Sequence, residues 1–204
     1  MIYDPNAGHR RSSRLPQYDY SQNGAYFITI CTFNHEPIFG HYAGARRAVP
    51  LLVLNEPGRF AQEQWLKTAV LRQNVTLDRF TVMPNHIHGI IILDSLHDGT
   101  ALHWGTARRA PTEIPNGYER RALTPEGFGK PLADSIPTIV RAYKSAVTKC
   151  INESRKTPGA PVWQRNYYEH VVRDEDDLNR IREYIEYNPV RWEEDEENPS
   201  RTGK

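Results

Sequence analysis

The stretch Phe80–Leu93, FTVMPNHIHGIIIL, constrains the fold more than any other part of this 204-residue chain. Apolar residues lie on both sides of Pro84-Asn85. That pair has turn chemistry, because proline fixes φ and asparagine tolerates tight backbone. The isoleucine-rich run after the corner reads as a buried strand and Val75–Met83 as the strand before it, so the two form an antiparallel hairpin. Side chains alternate faces along a strand. His86 and His88 therefore point the same way, one pleat apart, while Ile87 points the other way. Two imidazoles so placed either hydrogen-bond within the sheet or hold one metal ion, and a bare His-x-His does not decide between these.

The remaining elements follow in order. Residues 1–23 form a polar, basic arm carrying Arg10, Arg11 and Arg14. Tyr26–Phe33, YFITICTF, is aromatic and β-branched and reads as a strand. Residues 40–57 read as an irregular insertion with a short apolar run, Val49–Leu54. Pro57–Leu71 reads as a helix, with proline at its start. Residues 94–134 are low in apolar content and hold many of the glycines and prolines, which marks a long insertion. ARRAP at Ala107–Pro111, ERRALTP at Glu119–Pro125 and ARRAVP at Ala45–Pro50 are phosphate contacts or solvated loop charge.

Ser135–Glu153 is the clearest helix, with Ile136, Ile139, Val140, Tyr143, Val147, Cys150 and Ile151 in one stripe. A strand is expected near Glu169–Val172. The last helix starts at Asp174, an N-cap with acids in the first turn, and runs to about Asn188, before Pro189. Residues 193–204 read as a solvated acidic tail. The first six elements are strand, helix, strand, strand, helix, strand. The fold class is therefore α+β, a ferredoxin-like βαββαβ sandwich over residues 24–192, with an extra C-terminal helix packing across the sheet.

Charge narrows function only locally, since 26 Lys+Arg balance 25 Asp+Glu. Cys31 and Cys150 lie far apart, each inside an apolar pattern, and read as buried thiols in a reducing compartment. The chain opens on no signal segment and holds no membrane-length run, so a cytoplasmic location is expected.

The last helix reads DLNRIREYIEYNPVRW. At about 100° per residue, Leu178, Ile181 and Ile185 define its buried stripe and Tyr187 falls almost opposite. Tyr184 and Asn188, four apart, share the flank bordering the packed face. If this helix covers the histidine strand, one site gathers His86, His88, Asn188 and a tyrosine hydroxyl. Tyrosine, with a reference pKa of about 10, is a poor nucleophile at neutral pH, and a divalent cation on a phosphate offsets that weakness. The mixed nitrogen and oxygen set suits Mg or Mn better than a closed structural zinc.

HIH within VMPNHIHGIII resembles the His-hydrophobic-His motif of HUH single-strand endonucleases. The flanking text resembles one branch, the bacterial REP-associated tyrosine transposases, which are relatives of the single-tyrosine transposases of small insertion sequences. The matching stretches are Tyr18–Thr32, VMPNHIHGIIIL, Ser135–Asn152 and, the most family-specific, Val162–Trp192. The resemblance implies an HUH fold and cleavage of single-stranded DNA near a hairpin. The products would be a 5′-phosphotyrosine and a free 3′-hydroxyl, with Mg or Mn as cofactor, in a monomer or homodimer. It places the metal-binding histidines on His86 and His88, the nucleophile on Tyr184 and the amide ligand on Asn188. The long insertion departs from compact members.

A single-strand enzyme needs a basic track and stacking rings. Arg10, Arg11, Arg14, Arg141, Lys144, Lys149 and Arg165 are the candidates for phosphate, and Trp163, Tyr167 and Tyr168 for bases. Two other readings compete. One is a hairpin-binding protein without catalysis; the other is a metal-dependent nuclease using activated water.

Overall fold

Strand β1, Gly24–Cys31, lies inside a four-stranded antiparallel sheet of order β4-β5-β1-β6. Its neighbours are β5 (His86–Leu93) and β6 (Tyr168–Val171), and β4 (Val75–Val82) borders β5 at the other edge. The computed structural model describes residues 18–43, 51–94, 132–195 and 197–199. Arg10, Arg11, Arg14, the three Arg-Arg-Ala clusters and nearly all of the 94–134 insertion lie outside the described residues.

Each central strand is buried on both faces. Tyr26, Ile28 and Ile30 of β1, with Ile87, Ile91 and Leu93 of β5, meet helices α1 (Glu56–Leu71) and α2 (Ile136–Arg155). Ala25 and Phe27 of β1, with Ile90 of β5, meet helix α3 (Glu175–Tyr187) on the opposite face. The molecule is thus α+β, with the sheet between two helical layers. The stripe expected for α2 is buried at Ile136, Ile139, Val140, Tyr143, Val147 and Ile151. The expected last helix is present, and Asp174 Oδ1 caps it by accepting from Asp177 N at 2.8 Å.

Two features differ from expectation. Residues 40–57 are not wholly irregular: β2 (Gly40–Ala43) and β3 (Leu51–Leu54) pair as a separate two-stranded sheet. Asn55 then caps α1, its Oδ1 accepting from Gly58 N at 3.0 Å. Second, Pro189 does not end the chain's helical course. It sits at the start of a 3-10 segment, Asn188–Glu194, where its missing N–H costs nothing.

A bulge in β4 decides what α3 meets. Leu77 faces Ile91 and Phe80 faces Gly89, so Asp78 and Arg79 together oppose Ile90. The extra residue keeps Leu77 and Phe80 on one face and turns Asp78 toward α3. There Asp78 meets Arg182 through both carboxylate oxygens, with Nε 3.1 Å from each.

Gly89 is required by close approach. A Cβ at this position would lie 2.2 Å from Cζ2 of Trp65, the buried indole of α1. Gly89→Ala is expected to lower unfolding free energy by about 1–3 kcal/mol in urea denaturation. The double variant with Trp65→Leu should lose less than the sum of the two singles, because the small ring-free side chain removes the clash.

Candidate functional site

His86 and His88 lie on the α3 face of β5 and are 0% and 2% exposed. Their Nε2 atoms are 2.9 Å apart. Burial holds both rings neutral. It lowers the His86 pKa to about 4, with the Asp195 charge opposing and His35 adding to the effect. His88 is held well below the ordinary histidine range by burial, then by its neighbour's charge.

Hydrogen bonds at the far ring nitrogens orient the pair. The Asn85 amide nitrogen donates to the carbonyls of His35 and Glu197, at 3.2 and 2.6 Å. Carbonyls only accept, so Asn85 Oδ1 is the atom that faces His86 Nδ1 at 2.8 Å, and Nδ1 carries the proton. A neutral His86 then presents a bare lone pair at Nε2. His88 Nδ1 is 2.8 Å from Thr29 Oγ1, directly across the β1–β5 ladder. This is the outer arrangement of a metal-binding histidine, whose other ring nitrogen is held by an oxygen partner.

The surrounding atoms fit a divalent cation. Nitrogens about 2.1 Å from one ion stand near 2.9 Å apart when they are cis to each other. Asp195 Oδ2 is 3.9 Å from His86 Nε2, and the ligating atoms of His86, His88 and Asp195 all lie within 4.8 Å of one another. Asp195 Oδ2 and Asn188 Oδ1 are buried with no hydrogen-bond partner among the described residues. Buried oxygens without donors are groups that a cation satisfies. Two imidazoles and a carboxylate form a mixed nitrogen and oxygen donor set.

Helix α3 brings the nucleophile candidate to this pair. Leu178, Ile181 and Ile185 dock on Ala25, Phe27, Ile90 and Val172. Tyr184 lies on the flank of that stripe, its hydroxyl 3.3 Å from His88 Nε2 and its ring edge-on to Phe27 at 6.0 Å. The residue is 48% exposed, so a substrate can reach a hydroxyl that also touches the buried histidine. Tyr187 is 57% exposed on the outer side, as its angle on the helix predicts. Asn188 is buried one turn after Tyr184, whose carbonyl accepts from its backbone N–H.

The tertiary structure adds residues that sequence reasoning passes over. Asp195 belongs to the tail read as solvated, yet it is buried beside His86. It sits in a run of five acids, and nothing in their pattern distinguishes it. Trp192 lies over His86 at 6.1 Å and stacks on Tyr42 of β2 at 5.9 Å. Asn85 reads in sequence only as a turn residue. His170 bonds Asp177 Oδ2 at 2.8 Å and ties β6 to the first turn of α3.

The DNA candidates divide. Lys144 Nζ donates to the carbonyls of Gln164 and Arg165 at 2.6 and 3.1 Å, so its ammonium is committed to the backbone. Trp163 is buried against Phe39 and Tyr143 and donates to the Lys144 carbonyl, so it is a core ring and not an open stacking surface. Tyr167 also packs against the core. Arg141, Lys149 and Arg165 are exposed. Lys149 and Arg165 line a shallow groove between α2 and the segment Gly159–Arg165. Arg141, Lys144 and Lys149 belong to α2, across the sheet from the histidines. Tyr168 is a second exposed ring on the site's own face, edge-on to Phe27 like Tyr184.

No family model matches the chain. It is 35% identical over 195 residues to an uncharacterized protein of Haemophilus influenzae, covering 95% of this chain and 96% of that one. Among solved structures, a REP-associated tyrosine transposase bound to a REP hairpin is similar. The TM-score is 0.48 at 17% identity, over 88% of this chain and 73% of that chain.

Two outcomes follow from the site's supports. Thr29→Val keeps shape but removes the oxygen that orients His88, and isothermal titration should show Mn binding weakened by about 10–100-fold. The docking of α3 should also be acid-sensitive. Burial raises the Asp78 carboxyl, but its Arg182 and Arg79 contacts outweigh this, so it sits below the ordinary 3.8. A folded pKa below the unfolded one contributes stability above the unfolded value, and that stability is lost as pH falls through the folded value. Below pH 3.8 the urea midpoint of the wild type should therefore fall more steeply than that of Asp78→Asn, which has already lost the contribution.

Proposed function

We propose that this chain, which belongs to one family with the uncharacterized Haemophilus influenzae protein, is a metal-dependent tyrosine transposase. It cleaves and rejoins single-stranded DNA beside hairpins. The observation that carries this reading is the Tyr184 hydroxyl 3.3 Å from Nε2 of a buried, neutral histidine pair. The strand order β4-β5-β1-β6 with two helices on one face is that of a ferredoxin-like unit, which supports an HUH architecture. The motif resemblance in VMPNHIHGIIIL and Val162–Trp192 supports the transposase branch.

In this mechanism His86 and His88 would hold a divalent Mg or Mn ion, with Asp195 and Asn188 as the candidate oxygen donors. A bound ion would supply polarisation of the scissile phosphate and would offset developing charge. Tyr184 supplies the attacking oxygen. Its Oη–phosphorus bond forms as the phosphorus–O3′ bond breaks, and the phenolic proton is lost to solvent while O3′ gains one. The products are a 5′-phosphotyrosine and a free 3′-hydroxyl. The phosphodiester bond energy is kept, so a 3′-hydroxyl of another strand can reverse the step. Phe27 and the α3 stripe hold the phenol at the histidines, which lowers the cost of orientation. Tyr168 offers an open ring on the same face for a base.

A second reading, a nuclease that uses activated water, is favoured by the buried carboxylate of Asp195 beside the pair. The readings separate in one experiment. Single-stranded hairpin oligonucleotides from beside the gene are incubated with protein and Mn or Mg. A denaturant-resistant protein–DNA adduct is expected for wild type and Tyr187→Phe and is lost in Tyr184→Phe. Cleavage that forms no adduct and survives Tyr184→Phe would establish the water-using nuclease instead. Binding without cleavage under either metal would leave a hairpin-binding protein.

A further inference from the structure

A second cluster of ligating atoms lies beside the first. The sulfur of Cys31, a ring nitrogen of His35 and a carboxylate oxygen of Glu197 all fall within 4.8 Å of one another. The three residues come from separate places: the last position of β1, a 3-10 turn after it (Phe33–His35), and the C-terminal segment. We propose that Cys31, His35 and Glu197 form a second cation site, built for a soft divalent ion such as zinc and distinct from the His86–His88 site.

The backbone around the cluster is constrained. Asn34 and His35 both have positive φ, 54° and 56°, a region that non-glycine residues seldom occupy and that persists only where surroundings impose it. The Asn85 amide supplies the constraint. Its Nδ2 donates to the carbonyls of His35 and Glu197 together, fixing two of the three ligand residues. Glu197 N also donates to Asp195 Oδ1 at 2.7 Å. His35 Nδ1 is 2.9 Å from Glu197 Oε2, so this nitrogen already points to the centre of the cluster.

The other His35 nitrogen, Nε2, faces the side-chain amide nitrogen of Gln164 at 2.5 Å. With the amide oxygen turned to that position, Nε2–H donates to it and Nδ1 keeps its lone pair for an ion. Amide oxygen and nitrogen are exchanged by a simple rotation, and the partner dictates the choice. That gives the tautomer and oxygen partner of a metal-binding histidine. Cys31 is not in a disulfide. Thiolate and carboxylate match the charge of a divalent ion. Sulfur and imidazole select zinc over magnesium or manganese, so the two neighbouring sites differ in preferred metal. An ion here takes no part in the cleavage chemistry. It staples the C-terminal segment to the end of β1, beside His86, the Cα partner of Cys31.

Cobalt tests this with a signal that the histidine pair cannot produce. Metal-stripped full-length protein is titrated with Co2+ and the near-ultraviolet thiolate-to-cobalt charge-transfer band is followed. The band should saturate at one equivalent and disappear on adding excess zinc. It should be lost in Cys31→Ser, and retained in Cys150→Ser and in His88→Ala. Glu197→Gln, a change on the terminal segment outside both cores, should weaken cobalt binding about 10-fold or more. No band in the folded wild type, or a band that persists in Cys31→Ser, overturns the proposal. So does a band lost in His88→Ala but unchanged in Glu197→Gln, which would assign the thiolate to the histidine pair.

Discussion

Burying two imidazoles in a sheet without charging them is the condition on which this structure depends. His86 and His88 are buried, and burial drives both rings toward the neutral form. Neutral rings leave lone pairs, and lone pairs 2.9 Å apart need either a shared proton or a shared cation. Asn85 and Thr29 orient the two rings from behind. The strand that holds them is therefore rigid on one side and chemically demanding on the other.

Helix α3 answers that demand. Its aliphatic stripe covers Phe27 and Ile90 and so sets the height of the helix above the sheet. Arg182 on Asp78 and Asp177 on His170 fix it at two points along its length. Tyr184 then has little choice of position: its ring meets Phe27 and its hydroxyl meets His88. The bulge in β4 lets Leu77 and Phe80 share the face of α1 and α2 while Asp78, next to Leu77, faces α3.

The surroundings of the site come from segments that look peripheral. The β2–β3 hairpin contributes Tyr42, which backs Trp192, which lies over His86. The C-terminal segment returns to bury Asp195 and to bring Glu197 against His35. Asn85 touches both histidine groups, His86 through its oxygen and the His35 turn through its nitrogen. The face between β1's end and β5's start is therefore organised around one carboxamide, with the Asp195 and Glu197 carboxylates arriving from the C-terminal segment.

The alternating and helical apolar patterns are legible in the sequence because they are local, and burial on a given face leaves period two or 3.6 in the chain. That is why the four sheet strands, the three helices, the shared direction of His86 and His88, and the separation of Tyr184 from Tyr187 can be read directly. What sequence does not supply is contact between distant segments. The small second sheet is one case, since Leu51–Leu54 finds its partner only in Gly40–Ala43. Trp163 and Lys144 look available to DNA in sequence, and only the packed structure shows the indole in the core and the ammonium committed to backbone carbonyls. Asp195 is the sharpest case. In sequence it is one of five consecutive acids with no periodic mark. In the fold, its burial beside His86 follows from where the 3-10 segment ends, and that depends on how α3 docks.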